Sequence, residues 1–179
     1  MNLLVLGGVR SGKSRYAEQI AGQGGAPVVM IVTATAGDEE MAARIAAHRA
    51  RRPRHWQVAE EPVELGRAIS RATAPGTVVI VDCLTLWLSN LFALEDAKVL
   101  ESQRAALKSA VAASTGTLVL VSNEVGCGIV PTNALARRFR DEAGILHQEL
   151  AQLCDQVVWM VAGLPVVIKA PERPGGKQE

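Results

Sequence analysis

Apolar residues along this chain fall into two patterns. Short runs in which nearly every position is apolar, Leu3 to Leu6, Val28 to Val32, Thr77 to Val81, Thr117 to Val121 and Val157 to Ala162, read as buried strands. Between them lie stretches with apolar positions at helical spacing: Ser14 to Ala21, Asp38 to Arg51, Val63 to Ala72, Leu84 to Leu94, Glu95 to Ala113 and Asn133 to Leu153. Val166 to Lys169 is a candidate edge strand. The run Val78, Val79, Ile80, Val81 leaves no polar face, so a strand there must be covered on both sides, and strands alternating with helices imply parallel βα units. The pattern predicts an α/β fold with a doubly wound, mostly parallel sheet in a single domain over residues 1–169. Residues 170–179, with Pro171, Pro174, Gly175 and Gly176, offer almost nothing to bury and read as an unstructured tail.

Composition narrows the class. Aromatic residues make up 3% of the 179 positions against 49% apolar, so the core is built from Val, Leu, Ile and Ala. Nineteen Lys and Arg nearly cancel eighteen Asp and Glu, which gives no global field to attract nucleic acid or an anionic membrane. Cys83, Cys127 and Cys154 are odd in number and far apart, which suits a reducing cytoplasm better than a disulfide framework or a zinc site. The N-terminal residues do not read as a signal peptide. The best membrane candidate, Val157 to Ile168, contains Gly163 and Pro165 and is shorter than the ~20 residues a span requires.

Chemistry concentrates first at Gly7, Gly8, Val9, Arg10, Ser11, Gly12, Lys13 and Ser14, which match G-x-x-x-x-G-K-[ST] between a predicted strand and a predicted helix. Glycines let successive backbone N–H groups turn toward phosphate oxygens, and the helix N-terminus adds its dipole. Lys13 is placed to reach the β- and γ-phosphates, and the Ser14 hydroxyl to bind Mg²⁺. Asp82 ends the buried run Val78 to Val81, where such folds carry an acid on the metal side; it could instead cap the helix that follows.

The most basic part of the chain is the stretch from Asp38 to Trp56, with Arg44, Arg49, Arg51, Arg52, Arg54, His48 and His55. On a helix Arg44, His48 and Arg52 share one face, putting an imidazole between two guanidiniums. Read blandly, this is a solvated helix face. Read chemically, the cations would hold His48 neutral and nucleophilic and a triphosphate would lie against them. His147, inside the long helix, reads as a packing or solvent-facing residue.

These residues together resemble the bifunctional adenosylcobinamide kinase and adenosylcobinamide-phosphate guanylyltransferase family of cobalamin biosynthesis, over nearly the whole chain. The resemblance rests on Gly7 through Arg15, on Glu40 to Ile45 followed by His48, Arg52, Pro53 and Trp56, and on Asp82 through Asn90. A further block runs Ser122-Asn123-Glu124-Val125-Gly126, Gly128 to Pro131, then Arg137, Phe139, Arg140, Asp141 and Gly144. The resemblance implies a RecA-like P-loop NTPase fold, a trimer, and two reactions. In the first, ATP or GTP phosphorylates the aminopropanol hydroxyl of adenosylcobinamide. In the second, a histidine matching His48 takes GMP from GTP and passes it to adenosylcobinamide phosphate. Thr33, Ala34, Thr35, Arg49, Ala50, Arg51, Arg52 and Glu60 match positions that contact the guanine nucleotide, and Asp82 matches the acid near the metal.

Two stretches depart from the family pattern: Ile145-Leu146-His147-Gln148 stands where Arg-Leu-Asn-Gln is usual, and Cys154-Asp155-Gln156-Val157 where Ala-Asp-Glu-Val is usual. Two rival readings remain. A P-loop kinase of another small alcohol or nucleoside would share Lys13, Ser14 and Asp82 without needing His48. A GTP-dependent switch or metal-delivery module would be expected to carry an N-K-x-D guanine-reading motif, and the strand at Thr117 to Val121 is followed by Ser122-Asn123-Glu124-Val125 instead.

Overall fold

Alternation along the central strands sorts the core into two layers. Leu4, Leu6, Val79, Val81, Leu118 and Leu120 enter one apolar cluster, whereas Leu3, Val5, Ile80, Val119 and Val121 enter the other. The computed structural model describes residues 1–35, 39, 46 and 53–170. Among them the strands are β1 (Asn2–Gly7), β2 (Val28–Val32), β3 (Gln57–Glu60), β4 (Val78–Asp82), β5 (Thr117–Asn123), β6 (Gln156–Val161) and β7 (Leu164–Lys169). They form one sheet in the order β3-β2-β4-β5-β1-β6-β7, parallel throughout except for the antiparallel β6–β7 hairpin. The doubly wound, mostly parallel sheet expected from the hydrophobic pattern is therefore present.

The helices are α1 (Lys13–Gly22), α2 (Leu65–Ala72), α3 (Leu84–Ala93), α4 (Ala97–Ala112) and α5 (Ala134–Leu153). The first cluster receives α2 through Leu65 and Ile69, α3 through Trp87, Leu88 and Leu91, α4 through Leu107 and Val111, and α5 through Leu146 and Leu150. On the opposite face Ala17 and Ala21 of α1 pack with Trp56 against the strands. At each fully buried aliphatic side chain, burial contributes about 1.5–3 kcal/mol. Gly66 lets α2 and α4 meet, since a Cβ there would stand 2.6 Å from the Ala106 backbone.

Most boundaries lie within two residues of the sequence pattern. The stretch from Asp38 to Arg51 falls outside the described residues except for Glu39 and Ala46, which are helical. The sequence pattern does not mark β3, whose residues Gln57–Glu60 are all exposed and which gains its order by parallel pairing with β2. Edge position explains the omission, because a strand without a buried face carries no apolar run. The C-terminal hairpin is also longer than its apolar signal: β7 begins at Leu164, two residues before the apolar run that marks it. Lys169 Nζ fastens its end by donating to the carbonyls of Ala151 (3.0 Å), Gln152 (3.3 Å) and Cys154 (2.6 Å) at the end of α5.

Candidate active site

Parallel pairing brings the C-terminal ends of β1, β4 and β5 to one rim of the sheet, the place where open α/β sheets bind ligands. Three residues bend the chain leaving β1: Gly7 has φ 150°, Arg10 φ 55° and Gly12 φ 98°. A Cβ on Gly7 would lie 2.6 Å from the Met160 carbonyl, so both space and dihedral require glycine there. The loop closes with Ser11 N donating to Gly8 O at 3.3 Å, and α1 begins with Tyr16 N donating to Gly12 O at 2.9 Å. Ser11 Oγ is buried without a hydrogen-bond partner among the described residues. A left-handed residue beside glycines at a helix N-terminus, with an orphaned hydroxyl, is an arrangement suited to an anion.

Lys13 is 7% exposed and donates from Nζ to Gly8 O at 2.6 Å, so its stem spans the loop from beneath. Burial lowers its pKa, and the neighbouring Cys83 and Asp82 oppose that shift. Burial, together with Asp82, pushes the Cys83 thiol up to about 11, so the thiol stays neutral at neutral pH. Asp82 ends β4 as the sequence predicts. Mg²⁺ characteristically takes one or two protein oxygens together with substrate phosphates. The Asp82 carboxylate and the Ser14 hydroxyl are oxygens of the type Mg²⁺ takes, and among the described residues no cluster of three His, Cys, Asp or Glu could hold a metal.

Thr33 is fully buried, and its hydroxyl is engaged twice: it donates to Cys83 O at 2.6 Å and accepts from Cys83 N at 3.0 Å. It thereby braces the chain just after Asp82. Asn90 Nδ2 extends the brace by donating to Thr33 O (2.8 Å) and Pro62 O (3.1 Å), a function that no local signal around Asn90 announces. Ala34 is half-buried, while Thr35 and Glu60 are exposed. Arg44, His48, Arg49, Ala50, Arg51 and Arg52 lie outside the described residues, so the proposed imidazole face does too.

The rim of β5 carries features that spacing alone does not reveal. Asn123 pairs with Gly7 across β1 and β5, and Glu124 N donates to Gly7 O at 3.0 Å, fastening this segment to the start of the phosphate loop. The Glu124 carboxylate accepts from Gly126 N and from Cys127 N. Burial raises its pKa, but these hydrogen bonds outweigh it and the net shift is downward. Behind the rim, Ser122 Oγ lies 2.7 Å from His147 Nε2 and 3.1 Å from Thr85 Oγ1, which accepts from Asn123 N at 2.7 Å. His147 is thus a partly buried, hydrogen-bonded residue, as its packing reading allowed, and burial lowers its pKa against the opposing pull of Glu124.

A second element reaches the phosphate loop from the far end of the chain. The β6–β7 turn, with Ala162 at φ 50° and Gly163 at φ 83°, donates Gly163 N to Ser11 O at 3.0 Å. A Cβ on Gly12 would meet Gly163 Cα at 3.2 Å, so two glycines face each other where turn and loop touch.

Comparison with known proteins agrees with this architecture. Residues 3–168 match the family model described as cobinamide kinase / cobinamide phosphate guanyltransferase. The bifunctional adenosylcobalamin biosynthesis protein CobP of Pseudomonas aeruginosa is 50% identical over 169 residues, covering 94% of this chain and 98% of that protein. CobU of Salmonella typhimurium, bearing the same description, is 42% identical over 94% of this chain and the whole of its own length. In fold, the chain is similar to the RadB recombinase (TM-score 0.52, 15% identity, 88% of this chain and 73% of that one). It is likewise similar to a type III secretion ATPase (TM-score 0.55, 10% identity, 88% of this chain and 50% of that one). A match that spans nearly the entire sheet and both signature loops leaves one conclusion: this chain belongs to the cobinamide kinase / cobinamide phosphate guanyltransferase family.

Proposed function

We propose that the protein is a bifunctional enzyme of cobalamin biosynthesis that phosphorylates adenosylcobinamide with ATP or GTP and then converts adenosylcobinamide phosphate to adenosylcobinamide-GDP. What supports this above all is the family match over residues 3–168 on a chain whose glycine loop, Lys13 and Asp82 share one rim. In the kinase step the loop N–H groups from Gly8 to Ser14 cradle the triphosphate. Lys13 offsets charge on the transferring phosphoryl group. Mg²⁺, held by Ser14 and Asp82, would supply further charge neutralisation there.

In the guanylyl step a ring nitrogen of His48 attacks the α-phosphorus of GTP, the bond to pyrophosphate breaks, and GMP is held through a P–N bond. A phosphate oxygen of adenosylcobinamide phosphate then attacks the same phosphorus, and the P–N bond breaks. Thr33, Ala34, Thr35, Arg49 to Arg52 and Glu60 line the guanine-nucleotide side in this reading. The protein works in the cytoplasm as a homo-oligomer, a trimer by family resemblance. The six exposed residues of β7, including Leu164, Val166, Val167 and Ile168, offer apolar surface for a second copy.

Intact mass after incubation with GTP and Mg²⁺ tests the nucleophile. An acid-labile GMP adduct is expected on the native protein and absent from His48→Ala. If the variant still carries the adduct, His48 is not the nucleophile.

A further inference from the structure

The contacts behind the β5 rim form a chain of three hydrogen bonds that starts on α5 and, through the Asn123–Glu124 backbone, meets the phosphate loop. It runs from His147 Nε2 to Ser122 Oγ, from Ser122 Oγ to Thr85 Oγ1, and from Thr85 Oγ1 to the backbone N–H of Asn123, whose neighbour Glu124 is bonded to Gly7. Ser122 is 1% exposed, so its hydroxyl is shielded from bulk solvent. We propose that His147 is a positioning residue for phosphoryl transfer: its protonation state sets the direction of this chain and hence the placement of the Asn123–Glu124 rim beside the phosphate loop. The proposal rests on the kinase reading given above.

Proton counting gives the two states. A neutral ring whose Nε2 carries no hydrogen accepts from the Ser122 hydroxyl, which in turn accepts from Thr85; the Thr85 oxygen still accepts from Asn123 N. When the ring takes a proton, Nε2–H must donate to Ser122, and the Ser122 hydroxyl must turn toward Thr85. Thr85 Oγ1 would then accept from both Ser122 and Asn123 N, and its own hydrogen must leave the chain. Starting from the neutral ring that carries its hydrogen on Nδ1, one proton at α5 therefore reverses three hydroxyl and ring orientations ending at the active rim.

The groups facing His147 can be named. Ser122 comes from β5, and Glu124, from the segment after β5, is the charge that favours the imidazolium. Thr85, from α3, is reached through Ser122. On α5 itself Glu142 and Glu149 are engaged with α4, Glu142 with Arg104, and Glu149 with Arg104 at 3.1 Å and Lys108 at 2.9 Å. Burial outweighs Glu124, so the neutral ring persists to lower pH than for a free imidazole.

The test compares native protein, His147→Gln and His147→Ala in the kinase step alone, which does not require His48, across the acid range. Gln places an amide near the Nε2 position and does not titrate. Its rate relative to native should match near neutrality and rise as pH falls, because only the native ring reverses the chain. His147→Ala should lose about three- to tenfold in kcat, as expected for one deleted buried hydrogen bond, with little change in KM for nucleotide. In parallel, the Asn123 amide resonance of native protein should shift with pH while that of His147→Gln does not. A Gln-to-native ratio independent of pH, or an Asn123 resonance that titrates identically in both, would overturn the proposal. Absence of phosphorylated corrinoid from native protein would count against the kinase reading instead, and the amide titration would still judge His147.

Discussion

Two segments meet at the active rim by different physical means. The phosphate loop is shaped by backbone: Gly7 and Gly12 take dihedrals that side chains resist, and Lys13 folds back on Gly8 within the same eight residues. The β5 rim is shaped by side chains from separate elements, Ser122 from β5, Thr85 from α3 and His147 from α5. A backbone-built site depends on local sequence. A side-chain-built one is free to vary residue by residue while the fold stays the same, and His147, bonded to Ser122 of β5, belongs to the second kind.

Substitutions can break or sharpen this contrast. The largest effect is expected for Lys13→Ala, which removes the cation proposed to offset developing phosphoryl charge and should lower phosphoryl transfer about a hundred- to a thousandfold in steady-state assays. Loss of under tenfold would show that the loop works without it. Gly12→Ala should cost about 1–3 kcal/mol in denaturant unfolding, because a positive-φ residue would also press on Gly163. Gly8→Ala is the control, since a Cβ at Gly8 meets nothing within 4 Å, and an equal loss there would defeat the backbone argument. Thr85→Val keeps the shape but leaves Asn123 N–H without its acceptor, an expected loss of about 1–3 kcal/mol. Were Thr85→Val neutral by chemical denaturation, the β5 rim would not depend on its side chains. The smallest change is Asn133→Ala: it deletes the cap on Ala136 N at the start of α5 and should lower stability by about 1 kcal/mol, read as a Tm decrease with kcat preserved.

The same contrast explains what the chain discloses on reading. Strands β1, β2, β4 and β5 are legible because both faces are buried, which forces continuous runs such as Val78 to Val81. The glycine loop is legible because its geometry admits few residues. Asp82 is found because it ends such a run. Gln57–Glu60 is not legible, since an edge strand with exposed side chains needs no apolar pattern. The Ser122–His147 contact joins residues 25 apart and Thr85–Ser122 joins residues 37 apart, so neither has a local signature. Thr33 shows a different limit: its place after β2 is evident, but the engagement of its hydroxyl with the Cys83 backbone depends on how β2 and β4 pair.

The bond from Gly163 N to Ser11 O has a consequence for engineering. Grafting residues 7–14 onto another parallel sheet would transfer every letter of the motif and omit the turn that supports it. The transplantable unit includes the β6–β7 hairpin, and a graft or a C-terminal truncation that omits Gly163 would leave the Ser11 carbonyl without its donor. In this protein the shortest motif in the sequence is completed by the turn of the last described hairpin.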